Sequence, residues 1–450
     1  MKRSWPGWTT ALVVLLAVAC STGAIITAAY SWYPNLFLVG TTILLLLLIK
    51  FARTRSVLLL VAGAALCQVP GLTHAPITST DAYRYVWDGR VQLSGSSPYS
   101  HVPLDDALAK LRDPILFPGL SPTDRSGVVG PPRADAPLDD DPRTRINRPQ
   151  VPTIYPPVAQ AYFTVVALFT PWSAGTFGLQ LAAAAIAVAL TWLLAVELRR
   201  RGRDPRWAAL WGWSPIVALE AGSAAHVDVL AALLIILALT RRRAWLTGLL
   251  LGAAGAVKLL PLLLLPAIPR LRPKFVAVST FLASYVPHLA VAGTLVAGFL
   301  PGYLHQEGFS DGSSRFAILA LVLPPEARQL VAGVIAVGLA LLALSRHGRE
   351  PVAVTCCWLY GAALLVATPT YPWYGLPLIA LAVLAGRIEW IAVPLAAYWA
   401  YASFGHDVRQ GLIQLAALLV VVITITLRYR PDAVSRLISG PTARTLIRAP

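Results

Sequence analysis

Charge is scarce in this sequence. Of its 450 residues only 13% are charged while 57% are hydrophobic, and the mean hydropathy is +0.65. That leaves too little polar surface to cover a water-soluble body of this length. Cysteine is also sparse: Cys20, Cys67, Cys356 and Cys357 all lie in apolar runs, so neither a disulfide framework nor a metal-type spacing follows. No glycine-rich phosphate loop followed by Lys-Ser/Thr occurs, and no use of ATP is expected. What the chain does have is a series of apolar runs separated by short basic clusters. The 37 Lys and Arg outnumber the 21 Asp and Glu, but in that pattern the +16 charge reports topology and contact with anionic lipid heads, not nucleic acid.

The pattern predicts an all-α polytopic membrane protein with about 12 to 14 crossings. Lys2 and Arg3 precede an apolar run that continues to Ala29, past Ala17-Val18-Ala19, so an uncleaved first span is expected. Runs at 8–29, 36–49 and 56–70 read as three spans, and Lys50, Arg53 and Arg55 set the loop between the last two inside. The third span then delivers Asp81 to the outer side. Residues 71–155 carry ten Asp, no Glu and nine Lys and Arg, and thirteen prolines between Pro98 and Pro157 forbid long regular elements. Short helices joined by extended chain are expected there. The cluster Arg199, Arg200, Arg201 and Arg203 requires 177–196 to run inward, so Tyr155–Phe169 is assigned to the outer interface as a juxtamembrane helix.

Single spans are expected at 207–221 and 227–240, leaving Glu220, His226 and Asp228 near outer ends. A broken hairpin is expected to meet near Lys258 and Pro261, and further spans at 275–293, 327–345, 352–368, 374–386, 389–403 and 410–427. The organisation is therefore N-terminal spans at 1–70, an outer segment at 71–175, the bundle at 176–427 and a basic cytoplasmic tail at 428–450.

The stretch Thr78 to Arg90 is the centre of this reading. Charge reappears there directly after a span, and Asp81, Arg84, Tyr85 and Asp88 share one face if the stretch is helical. Two carboxylates and a guanidinium on one ridge are either catalytic or an ion-pair ladder. His226 and Asp228, two apart, point to different sides of a helix, so the expected role of His226 is a hydrogen bond to an anion, or a structural one. Lys258 in an apolar run either reaches an anion or snorkels. Tyr371, Trp373 and Tyr374 are either an interfacial belt or a platform for a sugar face or isoprenoid tail. Five features converge on the outer face in this topology: the Asp81 to Arg90 ridge, His226 with Asp228, Lys258, the loop with His305 and Arg315, and Thr370 to Tyr374. Asp139-Asp140-Asp141 lacks the spaced ligands and glycine of a calcium loop and reads as a solvated acidic run.

These residues carry a resemblance. Thr80-Asp81, Tyr83-Arg84-Tyr85-Val86-Trp87-Asp88-Gly89-Arg90, Pro98-Tyr99, Thr153-Ile154-Tyr155-Pro156-Pro157, His226-Val227-Asp228, Lys258-Leu259-Leu260-Pro261 and Pro372-Trp373-Tyr374 resemble the GT-C superfamily of membrane glycosyltransferases. Within it they look most like bacterial polyprenol-phosphate-mannose-dependent mannosyltransferases. The resemblance implies a GT-C-like bundle with a large first extracytoplasmic loop, in the plasma membrane, with its active site on the outer face. It implies inverting transfer of a hexose, mannose by likeness, from a polyprenyl-phosphate donor to a glycolipid or glycan. Asp81 matches the family's essential carboxylate and Asp88 is the second candidate. Arg84, Arg90, His226, Asp228, Lys258, Arg315, Tyr371, Trp373 and Tyr374 are the expected donor and substrate contacts. Two features depart from the pattern: relatives often carry His where this chain has Tyr371, and two spans precede the usual first one. No cofactor is expected, and Mg²⁺ or Mn²⁺ has no signature in the sequence. The rival readings are a transporter or flippase of lipid-linked or anionic glycans, which calls for repeat symmetry not seen here, and an O-antigen polymerase or ligase, whose large loop falls late in the chain.

Overall fold

A computed structural model describes residues 8–30, 34–51, 56–130, 139–310, 312, 314–403 and 405–429. Arg53, Arg55 and the basic tail beyond Tyr429 lie outside the described residues. Within these the regular structure is helical, with one isolated bridge between Asp105 and Val128 and no strand. Five helices are long and apolar enough to cross a membrane, or six if a bent pair counts as one, and five shorter apolar helices accompany them. Apolar side chains remain exposed along the outside of several of these, as at Leu271, Phe275, Leu330 and Val334. That is how a lipid-facing surface reads, and the chain is a polytopic membrane protein.

The 24-residue helix Phe177–Arg200 ends in the arginine cluster, and its cations suit the negative end of a helix dipole. Its other end meets the start of the proline-rich segment, where Gln180 Nε2 donates to the carbonyls of Gly71 and His74, and to that of Ser223, at 2.9 to 3.0 Å. The expected single span over 207–221 is corrected by the structure. Pro205–Ala208, Ala209–Gly212 and Pro215–Val217 are short pieces, and Ala218–Ser223 is a π-helix. After it the chain turns by 116° into Asp228–Thr240. Proline at 215 interrupts the ladder, and Ala225 takes a positive φ of 58° at the corner, a costly conformation for a residue with a Cβ. The corner brings Glu220, His226 and Asp228 into the protein interior.

The proline-rich segment at 71–155 contains the helix Asp81–Leu93, a 3₁₀ turn at Asp106–Leu111 and irregular chain, as its prolines require. Ser79 Oγ accepts from the Asp81 amide at 3.1 Å, and an acidic residue in the first turn favours the helix start. This helix crosses Pro157–Phe169 at Gly89, where a Cβ would stand 2.6 Å from the Phe163 carbonyl oxygen. Tyr85 stacks on Phe163 with centroids 4.4 Å apart. Pro157 opens the second helix, and the free amides of Val158 and Ala159 donate to Ala256 O at 2.9 and 3.2 Å. That junction sets Tyr155 beside the irregular stretch carrying Lys258.

Candidate active site

Where these elements meet is a cavity of about 400 Å³, lined among others by Asp81, Arg84, Arg148, Lys258, Tyr371 and Trp373. Asp81 stands at the mouth of its helix with 15% of its side chain exposed. Asn147 Nδ2 donates to Oδ1 at 2.6 Å and the Tyr155 hydroxyl donates to Oδ2 at 3.2 Å. Burial, with the neighbouring Asp81 carboxylate, raises the Tyr155 pKa well above the usual phenol range, so the hydroxyl stays a donor. Both partners are neutral.

Behind Asp81 the chain corner supplies a buried polar row. His226 Nε2 lies 4.0 Å from Asp81 Oδ2, and its Nδ1 lies 2.8 Å from Glu220 Oε2 without hydrogen-bond alignment. The Tyr398 hydroxyl donates to the other Glu220 oxygen. The His226 ring stacks on Trp373 at 4.0 Å, and Trp373 stacks on Tyr371 at 4.8 Å. The aromatic cluster is therefore part of the cavity wall.

Lys258 projects from the break between Ala244–Gly255 and Leu260–Ala267. Its ammonium meets both Asp228 oxygens at 2.8 and 3.0 Å and lies 3.9 Å above the Tyr374 ring. Asp228 is enclosed, while Lys258 keeps 19% of its side chain exposed towards the cavity.

The other expected site residues stand at different depths around this centre. Asp88 lies on the same helix as Asp81 but is fully enclosed, its oxygens taken by Arg84 Nε at 3.1 Å and Gln160 Nε2 at 2.9 Å. Arg84 lines the cavity yet also donates to Val151 O at 3.1 Å. Arg90 is outside the cavity lining, bonded to Asp113 and set 4.6 Å from the Trp172 ring. Arg315 is one layer back, paired with Glu307, and Glu307 accepts from the Tyr371 hydroxyl at 3.0 Å and pairs with Arg148 at 2.8 Å. His305 bonds the exposed Ser310 and lies outside the lining. Among the described residues no three His, Cys, Asp or Glu side chains form a metal-binding group.

Asn147, Arg148, Glu307 and Tyr303 were not singled out from sequence. Asn147 and Arg148 are isolated polar residues in irregular chain, and Tyr303 and Glu307 sit in and just after the short helix Leu300–Gln306, too brief for periodicity to mark a face. Tyr155 carried a signal in its Tyr-Pro-Pro motif, and Glu220 in being an acid within an apolar run.

Residues 153–369 match the family model described as glycosyltransferase family 87, which supports a membrane glycosyltransferase. The matched stretch holds Tyr155, His226, Asp228, Lys258 and Arg315, while Asp81 precedes it and Tyr371 to Tyr374 follow it. No curated protein and no solved structure matches the chain.

Proposed function

We propose that the chain is an inverting glycosyltransferase of the extracytoplasmic face of the plasma membrane. It moves a hexose, mannose on the strength of the resemblance, from a polyprenyl-phosphate donor to a hydroxyl of a glycolipid or glycan. The observation that carries this reading is Asp81: a carboxylate held by two neutral donors on the wall of a cavity that also presents Lys258.

In this reading the acceptor oxygen attacks the anomeric carbon and Asp81 takes its proton. As that bond forms, the bond from the anomeric carbon to the phosphate oxygen breaks, and the lipid phosphate leaves with the electron pair. The Lys258 ammonium stabilises the charge that develops, with Arg148 and Arg84 on the same walls. Asp228 holds the Lys258 amine with both of its oxygens and aims it. Tyr371 and Trp373 offer faces for the sugar ring. Asp228 is bonded to Lys258 and Asp88 is enclosed, which supports giving Asp81 the base role in this reading.

The test is the Asp81→Asn variant in lipid vesicles with a panel of polyprenyl-phosphate sugars and a cell-envelope extract as acceptor, reading released polyprenyl phosphate. The variant is expected to insert and fold but to lose transfer. Turnover within tenfold of the parent overturns the assignment.

A further inference from the structure

Behind the wall of the Asp81 cavity, one carboxylate holds side chains from three distant parts of the chain. Glu307 follows the helix Leu300–Gln306, is buried, and is absent from the cavity lining. Its Oε1 accepts from Arg148 Nη2 at 2.8 Å and from the Tyr371 hydroxyl at 3.0 Å, while its Oε2 accepts from Arg315. Two of these three partners, Arg148 and Tyr371, line the cavity.

The two guanidiniums differ in what they have left to donate. Arg315 is only 5% exposed, and all of its nitrogens are engaged: Nη2 by the Glu307 carboxylate, Nε by the Glu307 carbonyl at 2.6 Å and Nη1 by the Pro369 carbonyl. Arg148 keeps 29% of its side chain exposed, and among the described residues its Nε and Nη1 carry no hydrogen bond. Its guanidinium carbon lies 5.2 Å from the centre of the Tyr303 ring, another part of the cavity lining, and the Tyr303 carbonyl accepts from the Glu307 amide at 2.9 Å. One nitrogen of Arg148 is therefore tied down from behind while the others are left on the cavity side.

The backbone under Arg148 is held as well. Its φ of 48° is a strained conformation for a residue with a Cβ. Arg84 Nη1 donates to the Arg148 carbonyl at 3.4 Å, and the preceding residue, Asn147, donates to Asp81 at 2.6 Å. The ion pair with Glu307 thus anchors the same turn that carries the amide bonded to Asp81.

We propose that Glu307 is a positioning residue, which holds Arg148 by one nitrogen so that the remaining donors of the guanidinium meet the phosphate of the lipid-linked donor. This rests on the donor class proposed above. A guanidinium presents its donors in a fixed plane and pairs with phosphate oxygens two at a time, so its orientation matters more than that of a point charge such as the Lys258 ammonium. Glu307 touches neither substrate in this arrangement and acts through Arg148.

The full chain, purified in neutral detergent, is titrated at constant ionic strength with polyprenyl phosphate or with the neutral polyprenol, reading retained lipid by native mass spectrometry. The parent is expected to prefer the phosphate. Arg148→Gln and Glu307→Gln are each expected to lower that preference about tenfold and to leave polyprenol binding as it is. Their combination is expected to lose no more than the weaker single variant, because both remove the same contact. Equal losses for the two lipids, losses that multiply in the double variant, or an undiminished preference in either single variant overturn the proposal. A parent that retains both lipids alike overturns the lipid-phosphate reading and this proposal with it, whereas a parent that prefers the phosphate beside unaffected variants overturns this proposal alone. If Glu307→Gln does not fold, Glu307→Asp keeps a charge beside Arg315 and draws it back from Arg148, and an undiminished preference there overturns the proposal equally.

Discussion

The Tyr155 hydroxyl donates to the Asp81 carboxylate across 3.2 Å, joining residues 74 positions apart. It ties the start of the Pro157–Phe169 helix to the start of Asp81–Leu93, and the Tyr155 ring meets Tyr85 edge-on at 4.9 Å. Tyr155→Phe keeps the ring and removes only the donor. Losing one partner of a buried polar pair costs about 1–3 kcal/mol. With the proposed role of Asp81, that predicts a kcat lower by roughly 10- to 100-fold at one tenfold step per 1.36 kcal/mol, and little change in KM. Steady-state transfer with a lipid-linked donor measures both, and an unchanged kcat rules this role out for the tyrosine.

Lys258 and Asp228 make a second test. Lys258→Gln strands an enclosed carboxylate, and breaking such a pair from one side costs about 3–5 kcal/mol. The single variant is expected to melt well below the parent. Lys258→Gln combined with Asp228→Asn is expected to recover most of the stability while turnover stays low, because the cation proposed to face the leaving phosphate is still missing. A parent-like melt for the single variant contradicts the pairing.

Gly71 packs against the corner of the bent pair, where a Cβ would fall 2.6 Å from the Ser223 amide nitrogen. Neither backbone can yield without disturbing the Gln180 bonds to Gly71 and Ser223. Gly71→Ala is expected to destabilise by about 1–3 kcal/mol through overpacking, and to lower turnover by shifting Glu220 and His226. Thermal melting and transfer rate check this together, and a neutral effect on both refutes it.

The proline-rich segment at 71–155 has its own acid sensitivity. The amide and hydroxyl of Ser126, with Arg112, hold the Asp106 carboxyl at about 2. Its unfolded value is near 3.9, so the ionised form contributes stability above about pH 4 that fades as the pH falls towards 2. The melting difference between Asp106→Asn and the parent should be largest near neutrality and shrink between pH 4 and 3. A difference independent of pH would sink the assignment.

Much of this fold was legible wherever charge punctuated apolar runs. The helix expected over 177–196 stands at Phe177–Arg200, and a helix stands at Pro157–Phe169 where the arginine argument called for a short one. The corner at Ala224–Val227 was not legible, because the stretch before it is apolar on every side and gives no periodicity by which to tell a π turn from a straight helix. The spacing of Asp81 and Asp88 placed them on one ridge, but Ala82 to Val91 are all buried, so spacing alone could not say which neighbours each carboxylate meets. Asn147, Arg148 and Glu307 come from irregular loops and enter the site only through tertiary contact.

The 116° corner between Pro215–Ser223 and Asp228–Thr240 has a consequence for how the chain tolerates change. Neither limb alone reaches the roughly 20 apolar residues that a crossing needs, so threading through the lipid is governed by the longer neighbours that flank them. In the proposed reading, substitutions at Glu220 or His226 alter the surroundings of Asp81, while the crossings stay governed by the longer helices on either side.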